Sequence, residues 1–168
     1  MKNYNYSDNG FYFVTICTYN KRCIFGGIVG ANGCSPEIIL NNYGKIVKKE
    51  WEKTANIRDE IELDEYIVMP NHIHCIICIN CNCKYQEKGD QPVAPTSGPQ
   101  SKSIGSIIAG FKSIVTTQIN TIRNSPGEKI WQRNYYDHII RNEKSLNEIR
   151  VYIRNNPATW DKDEYNKK

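Results

Sequence analysis

The order of secondary-structure elements in this sequence predicts an α+β fold built on a four-stranded antiparallel sheet. Four runs rich in β-branched and aromatic residues alternate with two stretches of helical periodicity, in the order strand, helix, strand, strand, helix, strand. A further helical stretch follows the last strand. This is the βαββαβ order of a ferredoxin-like sandwich, in which two helices cover one face of the sheet, with an added C-terminal helix.

The strand predictions depend on short apolar runs bounded by polar or turn-forming residues. We predict strands over 11–18, 60–69, 72–80 and 130–141, with Pro70-Asn71 as a turn or bulge between the second and the third. The glycine-rich stretch between the first strand and the first helix, residues 23–40, predicts a loop or hairpin excursion.

The helix predictions depend on apolar residues that recur every three or four positions. The first helix begins near Asn42, the second begins at Ser103 and ends at 125–127, and the last covers 142–156 before Pro157. The second has the clearest stripe, formed by Ile104, Ile107, Ile108, Phe111, Ile114, Val115, Ile119 and Ile122.

Length and composition favour one globular domain over residues 1–168. Residues 81–102 are polar and lack periodicity, so we expect a flexible connection there, and we expect the charged tail after Trp160 to fray. There is neither an 18-residue apolar stretch nor an apolar signal core, which predicts a cytoplasmic protein without a membrane partner. The formal net charge of +4 is only a weak indication of an anionic partner.

The seven cysteines are an odd number and predict reduced thiols. Their densest cluster, from Cys75 to Cys83, leaves two interpretations open. Cys78, Cys81 and Cys83 could converge on a structural zinc ion, or the cluster could consist of buried and loop thiols. Cys75 is not expected to join Cys78, because residues three apart in a strand face opposite sides.

Two of the three histidines, His72 and His74, lie one residue apart in the third predicted strand. Alternate residues of a strand share a face, so the two imidazoles should lie about 7 Å apart and could reach one divalent metal. A metal needs further ligands. Tyr152 and Asn156 share a face of the last helix, one turn apart. An amide oxygen suits Mg²⁺ or Mn²⁺, and a tyrosine beside a metal-bound phosphate could attack it as a nucleophile.

Four segments in this order carry a family resemblance. Residues 70–74 resemble the histidine–hydrophobic–histidine signature of the HUH endonucleases. Residues 131–133, 137–142 and 152–157 resemble the single-tyrosine HUH transposases, and most closely the REP-associated tyrosine transposases. The resemblance extends from the first strand to Pro157.

The resemblance implies a chemistry for named residues. His72 and His74 match the metal-binding pair, Tyr152 matches the nucleophile, and Asn156 stands where the family has an amide-type third ligand. The implied reaction is Mg²⁺- or Mn²⁺-assisted cleavage of single-stranded DNA, which forms a 5′-phosphotyrosine link and a free 3′-hydroxyl. Reversal of this step with another 3′-end joins strands, and no ATP is required.

The resemblance implies hairpin-forming repeat DNA with a single-stranded flank as the partner, in the nucleoid of a bacterial or archaeal cell. Candidate DNA-binding cations are Arg133, Arg141, Arg154 and Lys112. His138 could orient the site, contact phosphate or be a structural histidine. Tyr135 and Tyr136 are rival nucleophiles, although core or base-stacking roles suit them better. A monomer and a homodimer both remain open, as does a catalytically silent hairpin-binding module.

Overall fold

The computed structural model describes residues 10–30, 36–79 and 103–166. Its strands are β1 Gly10–Cys17, β2 Gly26–Val29, β3 Glu37–Leu40, β4 Ile61–Val68, β5 His72–Ile79 and β6 Tyr136–Ile140. Its α-helices are α1 Asn42–Asn56, α2 Ile104–Ile122 and α3 Glu143–Asn155, and a 3-10 helix, Asn156–Lys162, continues directly from α3. The connection expected at about 81–102 lies outside the described residues.

The main sheet has the strand order β4-β5-β1-β6, and each neighbouring pair is antiparallel. This is the strand order of a βαββαβ sandwich, so the predicted fold class is confirmed. The excursion predicted over 23–40 is a hairpin of β2 and β3 outside that sheet. No helix in the described part of the chain is long and apolar enough to cross a membrane.

The two faces of the sheet have different partners. Alternate residues of the central strands pack against α1 and α2 in the larger core, which includes Tyr12, Val14, Ile16, Ile73, Cys75, Ile77, Val47, Trp51, Phe111 and Val115. The opposite face packs against α3 in a smaller cluster, in which Ile76 and Ile140 meet Leu146 and Ile153. The histidines alternate with the larger core along β5, so they belong to the α3 face.

The helix boundaries follow side-chain capping. The side chains of Asn41, Ser103 and Asn142 accept hydrogen bonds from backbone N–H groups in the first turns of α1, α2 and α3. These bonds satisfy donors that would otherwise lack partners at a helix start. The predicted starts near Asn42 and Ser103 are therefore close to the observed ones.

The last strand is shorter than predicted. We predicted a strand over 130–141, whereas β6 covers only Tyr136–Ile140. The ammonium group of Lys112 donates to the backbone carbonyls of Gln132 at 2.9 Å and Asn134 at 3.0 Å. Trp131 forms an isolated bridge with Thr18, whereas Tyr136 pairs with Thr15, so the residues between Trp131 and Tyr136 leave the ladder as an irregular segment.

Paired charges attach α3 to the edge strand β4. Arg150 donates from Nε and a terminal nitrogen to the two carboxylate oxygens of Asp64, and Arg154 pairs with Glu65 through Nε at 2.8 Å. Consecutive residues of a regular strand face opposite ways. Here the register of β4 against β5 shifts between Leu63 and Tyr66, and this bulge allows both carboxylates to meet the same helix.

Removal of the better-buried ion pair should destabilise the protein more than removal of the exposed one. We expect Arg150→Met to lower the free energy of unfolding by about 1–2 kcal/mol and Arg154→Met to lower it by a smaller amount, because solvent screens the exposed pair. The Arg150 and Asp64 side chains are 31% and 18% exposed, whereas Arg154 is 61% exposed. Urea denaturation of both variants measures the difference, and equal costs would contradict it.

Candidate active site

The register of β1 against β5 positions the two histidines at the centre of the sheet. His74 lies opposite Thr15 and His72 lies opposite Cys17. Both histidines are buried, at 0% and 1% exposure, and their ring centroids are 4.4 Å apart. The two imidazole rings are thus closer together than the roughly 7 Å that separates the backbones of residues two apart in a strand.

A hydrogen bond to Asn71 determines which nitrogen of His72 carries the proton. The Asn71 amide nitrogen donates to the backbone carbonyls of Lys21 at 3.1 Å and Tyr165 at 2.7 Å. The remaining Asn71 oxygen can only accept, so His72 Nδ1–H must donate to it, at 2.8 Å. His72 Nε2 is then an unprotonated nitrogen. It is buried and has no hydrogen-bond partner among the described residues.

His74 is held in a comparable way. Its Nδ1 lies 2.8 Å from Thr15 Oγ1, and its Nε2 lies 3.3 Å from the Tyr152 hydroxyl. If Nδ1–H donates to Thr15, Nε2 accepts from Tyr152, and both histidines present an Nε2 lone pair to the same space. In metal-binding histidines, the ring nitrogen that does not bind the metal is typically fixed by a hydrogen bond.

Burial keeps both rings neutral. It lowers the pKa of His72 to about 2, with further effects from His74 and Lys21, and lowers the pKa of His74 to about 3. A histidine must be neutral to bind a metal. At neutral pH no proton therefore competes for these nitrogens.

Tyr152 and Asn156 meet the histidines from α3 and from the start of the following 3-10 helix. Tyr152 is 44% exposed, although its hydroxyl contacts His74. Burial, Asp163 and Glu164 raise the pKa of the Tyr152 hydroxyl, and a hydrogen bond from Asn156 opposes them in part. Asn156 is buried, and its Oδ1 atom has no partner within the described residues.

The C-terminal segment supplies an acidic side chain that the sequence pattern does not reveal. Asp163 Oδ2 lies 4.0 Å from His72 Nε2, and its side chain is 3% exposed. One ligand atom from each of His72, His74 and Asp163 falls within 4.8 Å of the others. Burial raises the pKa of Asp163, against hydrogen bonds from Tyr165 and Asn156.

The same segment covers the histidines. We expected the chain after Trp160 to fray, whereas the structure places Tyr165 against both rings, 4.8 Å from His72 and 5.8 Å from His74 between ring centroids. Lys21 Nζ lies 4.8 Å from the Tyr165 ring and also donates to the carbonyl of Glu164. Contacts between residues far apart in sequence hold this segment, and no local pattern predicts them.

The structure separates the candidate DNA-binding cations into two kinds. Arg133 and Arg141 are exposed. Arg154 is paired with Glu65, and Lys112 binds two backbone carbonyls, with its pKa lowered by burial to about 8. His138 is exposed on the face of the histidines, opposite Phe13, which is two residues from Thr15 along β1.

The cysteines do not match the expectation of reduced thiols throughout. Cys78 is disulfide-bonded, whereas Cys17, Cys23 and Cys75 are free. Cys75 is fully buried on the opposite face, where its thiol contacts the carbonyl of Val14. A sulfur in a disulfide is not a thiolate ligand, so this state of Cys78 does not suit the three-cysteine zinc site. Cys81 and Cys83 lie outside the described residues.

Comparison with known structures identifies the class of fold. A REP-associated tyrosine transposase bound to a REP hairpin matches with a TM-score of 0.62 and 22% identity, over 95% of this chain and 74% of that one. The resemblance predicted from the sequence motifs is therefore confirmed at the level of the fold. A crystal structure from Deinococcus radiodurans, of a protein provisionally assigned as a transposase, matches at 15% identity with a TM-score of 0.49, over 92% of this chain and 96% of that one.

Sequence comparison then identifies the family. A protein of Haemophilus influenzae described as uncharacterised is 42% identical over 170 residues, which cover 98% of this chain and 89% of that protein. This chain belongs to the same family as that protein. No protein-family model matches the chain.

The buried histidines should make the metal-free protein sensitive to mild acid. Between pH 6.5 and 5 the unfolded chain gains protons on His72 and His74 but the native protein does not, so the free energy of unfolding falls as pH falls. The loss approaches about 1.4 kcal/mol per pH unit for each histidine. Urea denaturation in EDTA at several pH values measures this slope.

Substitution of one buried histidine should remove about half of the pH dependence of the free energy of unfolding. His74→Asn tests this, and His138→Asn is the matched control because His138 is exposed. A wild-type slope in His74→Asn, or a reduced slope in His138→Asn, would contradict the assignment.

Proposed function

We propose that this protein is a metal-dependent single-stranded DNA endonuclease and strand transferase with Tyr152 as its nucleophile. The observation that carries the proposal is the contact of the Tyr152 hydroxyl with His74 Nε2, beside the unpartnered His72 Nε2. The fold shared with a REP-associated tyrosine transposase supports it.

The donor atoms around the histidines suit a divalent metal. Two neutral imidazole nitrogens, the unpartnered Asn156 oxygen and the Asp163 carboxylate form a mixed nitrogen and oxygen set. Ligands at about 2.1 Å from one ion lie about 3–4 Å apart, so the spacing within 4.8 Å of the His72, His74 and Asp163 donor atoms needs only a small contraction. Of Mg²⁺ and Mn²⁺, a set with two imidazoles favours Mn²⁺. A bound ion would polarise the scissile phosphate and lower the pKa of Tyr152.

The residues of the chain then have distinct tasks. Tyr152 Oη forms a bond to the phosphorus, and the bond from phosphorus to the 3′-oxygen breaks. The phenolic proton is lost from Tyr152, and the departing 3′-oxygen takes up a proton to become a hydroxyl. Asn156 hydrogen-bonds Tyr152 and so favours its phenolate. Burial lowers the pKa of His74 and makes it a weak base toward Tyr152, and a bound divalent metal would supply further activation of the hydroxyl.

The proposed substrate is hairpin-forming repeat DNA with a single-stranded flank. The matched transposase was solved with a REP hairpin, and Arg133 and Arg141 supply exposed cations for phosphate contacts here. A silent hairpin-binding module is the second candidate, because the C-terminal segment covers the histidines. Cytoplasmic location and oligomeric state stay predictions.

A covalent-trapping assay separates these candidates. Wild-type protein with Mn²⁺ and a pool of labelled hairpins should form a DNA–protein adduct that survives denaturation. The adduct should be absent without a divalent metal and absent in Tyr152→Phe, which lacks the nucleophilic oxygen. Denaturing electrophoresis measures it.

Tyr165→Phe is the matched control, since Tyr165 also contacts both histidines. It should retain the adduct. Loss of the adduct in Tyr165→Phe with retention in Tyr152→Phe would transfer the nucleophile to the C-terminal segment. Tight hairpin binding without any adduct would favour the silent module.

Metal affinity tests the oxygen ligands separately from catalysis. We expect Asp163→Asn and Asn156→Leu each to weaken Mn²⁺ binding at least about tenfold, because each removes or weakens an oxygen donor. Asp161→Asn is the control, since Asp161 is an exposed acid in the same segment. Isothermal titration with Mn²⁺ measures the change, and unaltered affinity in Asp163→Asn would leave Asn156 as the oxygen ligand.

A further inference from the structure

An exposed aromatic side chain stands on the sheet face that carries the candidate active site. Tyr136 is 55% exposed, although it begins β6, which is an edge strand of the sheet. Its neighbour Tyr135 packs against the larger core and so has a structural role. Sequence alone does not separate these two tyrosines.

The strand register places Tyr136 close to the histidines. Tyr136 lies opposite Thr15 on β1, and Thr15 lies opposite His74 on β5, so the three residues form one row across the α3 face. Neighbouring strands are about 4.8 Å apart, so Tyr136 lies about 10 Å from His74 along this row. That separation is within the reach of one nucleotide.

Phe13 connects Tyr136 to the catalytic groups. Its ring centroid is 6.4 Å from Tyr136 and 6.1 Å from Tyr152, both edge-on, and 5.3 Å from His74. Phe13 is half-buried beside the smaller core, and the edge contact with its ring gives Tyr136 a fixed neighbour on the sheet. A supported ring loses little entropy when a flat ligand stacks on it.

The surroundings favour nucleic acid as the ligand. Exposed Arg133 and Arg141 flank β6 in the chain, one on each side of Tyr136. Cations near both ends of the strand that carries an exposed aromatic ring suit a polyanion whose bases are unpaired. An apolar peptide would form no ion pairs with these arginines.

We infer that Tyr136, supported by Phe13, forms a stacking subsite for the unpaired base adjacent to the phosphate held against Tyr152. The inference rests on the proposed function. Tyr136 is a positioning residue, because it holds a base and does not touch the reacting atoms. Stacking tolerates any base, so the subsite sets where the strand lies more than which sequence is chosen.

Fluorescence of 2-aminopurine tests the subsite. The probe is a hairpin DNA with a four-nucleotide single-stranded flank that carries 2-aminopurine at each flank position in turn. It is bound to Tyr152→Phe protein so that no cleavage occurs. Quenching at one flank position should persist in Tyr136→Phe and be lost in Tyr136→Leu and Tyr136→Ala, with hairpin affinity reduced about tenfold or more.

Ile57→Ala is the matched control, because Ile57 is 71% exposed at the end of α1, which packs on the opposite face. The Ile57→Ala variant should quench the 2-aminopurine fluorescence as strongly as the parent protein does. Unchanged quenching in both Tyr136→Leu and Tyr136→Ala would overturn the subsite, even if wild-type protein forms the covalent adduct. Quenching that depends on Tyr136, without any adduct from wild-type protein, would support the subsite and contradict only the proposed chemistry.

Discussion

Burial of two neutral imidazoles at the centre of the sheet is the constraint on which this candidate site depends. A protonated histidine in that position would lack solvation, and this cost lowers the pKa of His72 to about 2 and that of His74 to about 3. The cost is limited because both Nδ1 atoms have partners, Asn71 and Thr15. The Nε2 atoms of both rings remain directed at the space shared with α3, where a metal ion would complete their coordination.

The other contacts of the α3 face keep this space aligned with the helix. Arg150 and Arg154 bind consecutive carboxylates at the β4 bulge, and Leu146 and Ile153 pack on the sheet. These contacts lie on both sides of Tyr152 in the sequence of α3. These contacts determine the position of the Tyr152 hydroxyl relative to His74. They form within the protein and do not depend on a bound metal or DNA. Two of the cations that the sequence suggested for DNA, Arg154 and Lys112, have partners within the protein, and their contact with DNA stays a prediction.

Much of the fold was predictable, because periodicity and capping residues act locally. Alternation placed His72 and His74 on one face, and the spacing of four placed Tyr152 and Asn156 on one helical face. The position of Asp163 beside the two histidines was not predictable, since it depends on the return of the C-terminal segment over the sheet. The length of β6 was also missed, because the chain leaves the ladder between Trp131, which bridges to Thr18, and Tyr136, which pairs with Thr15.

The most direct test of the central claim is electron spin-echo spectroscopy of Mn²⁺ bound to the protein. We predict nitrogen couplings from two imidazoles, with one removed in His72→Asn and the other in His74→Asn. Incorporation of ¹⁵N-histidine should change both couplings. Bound Mn²⁺ without any histidine nitrogen coupling, or couplings that survive both substitutions, would contradict a shared metal site at these two residues.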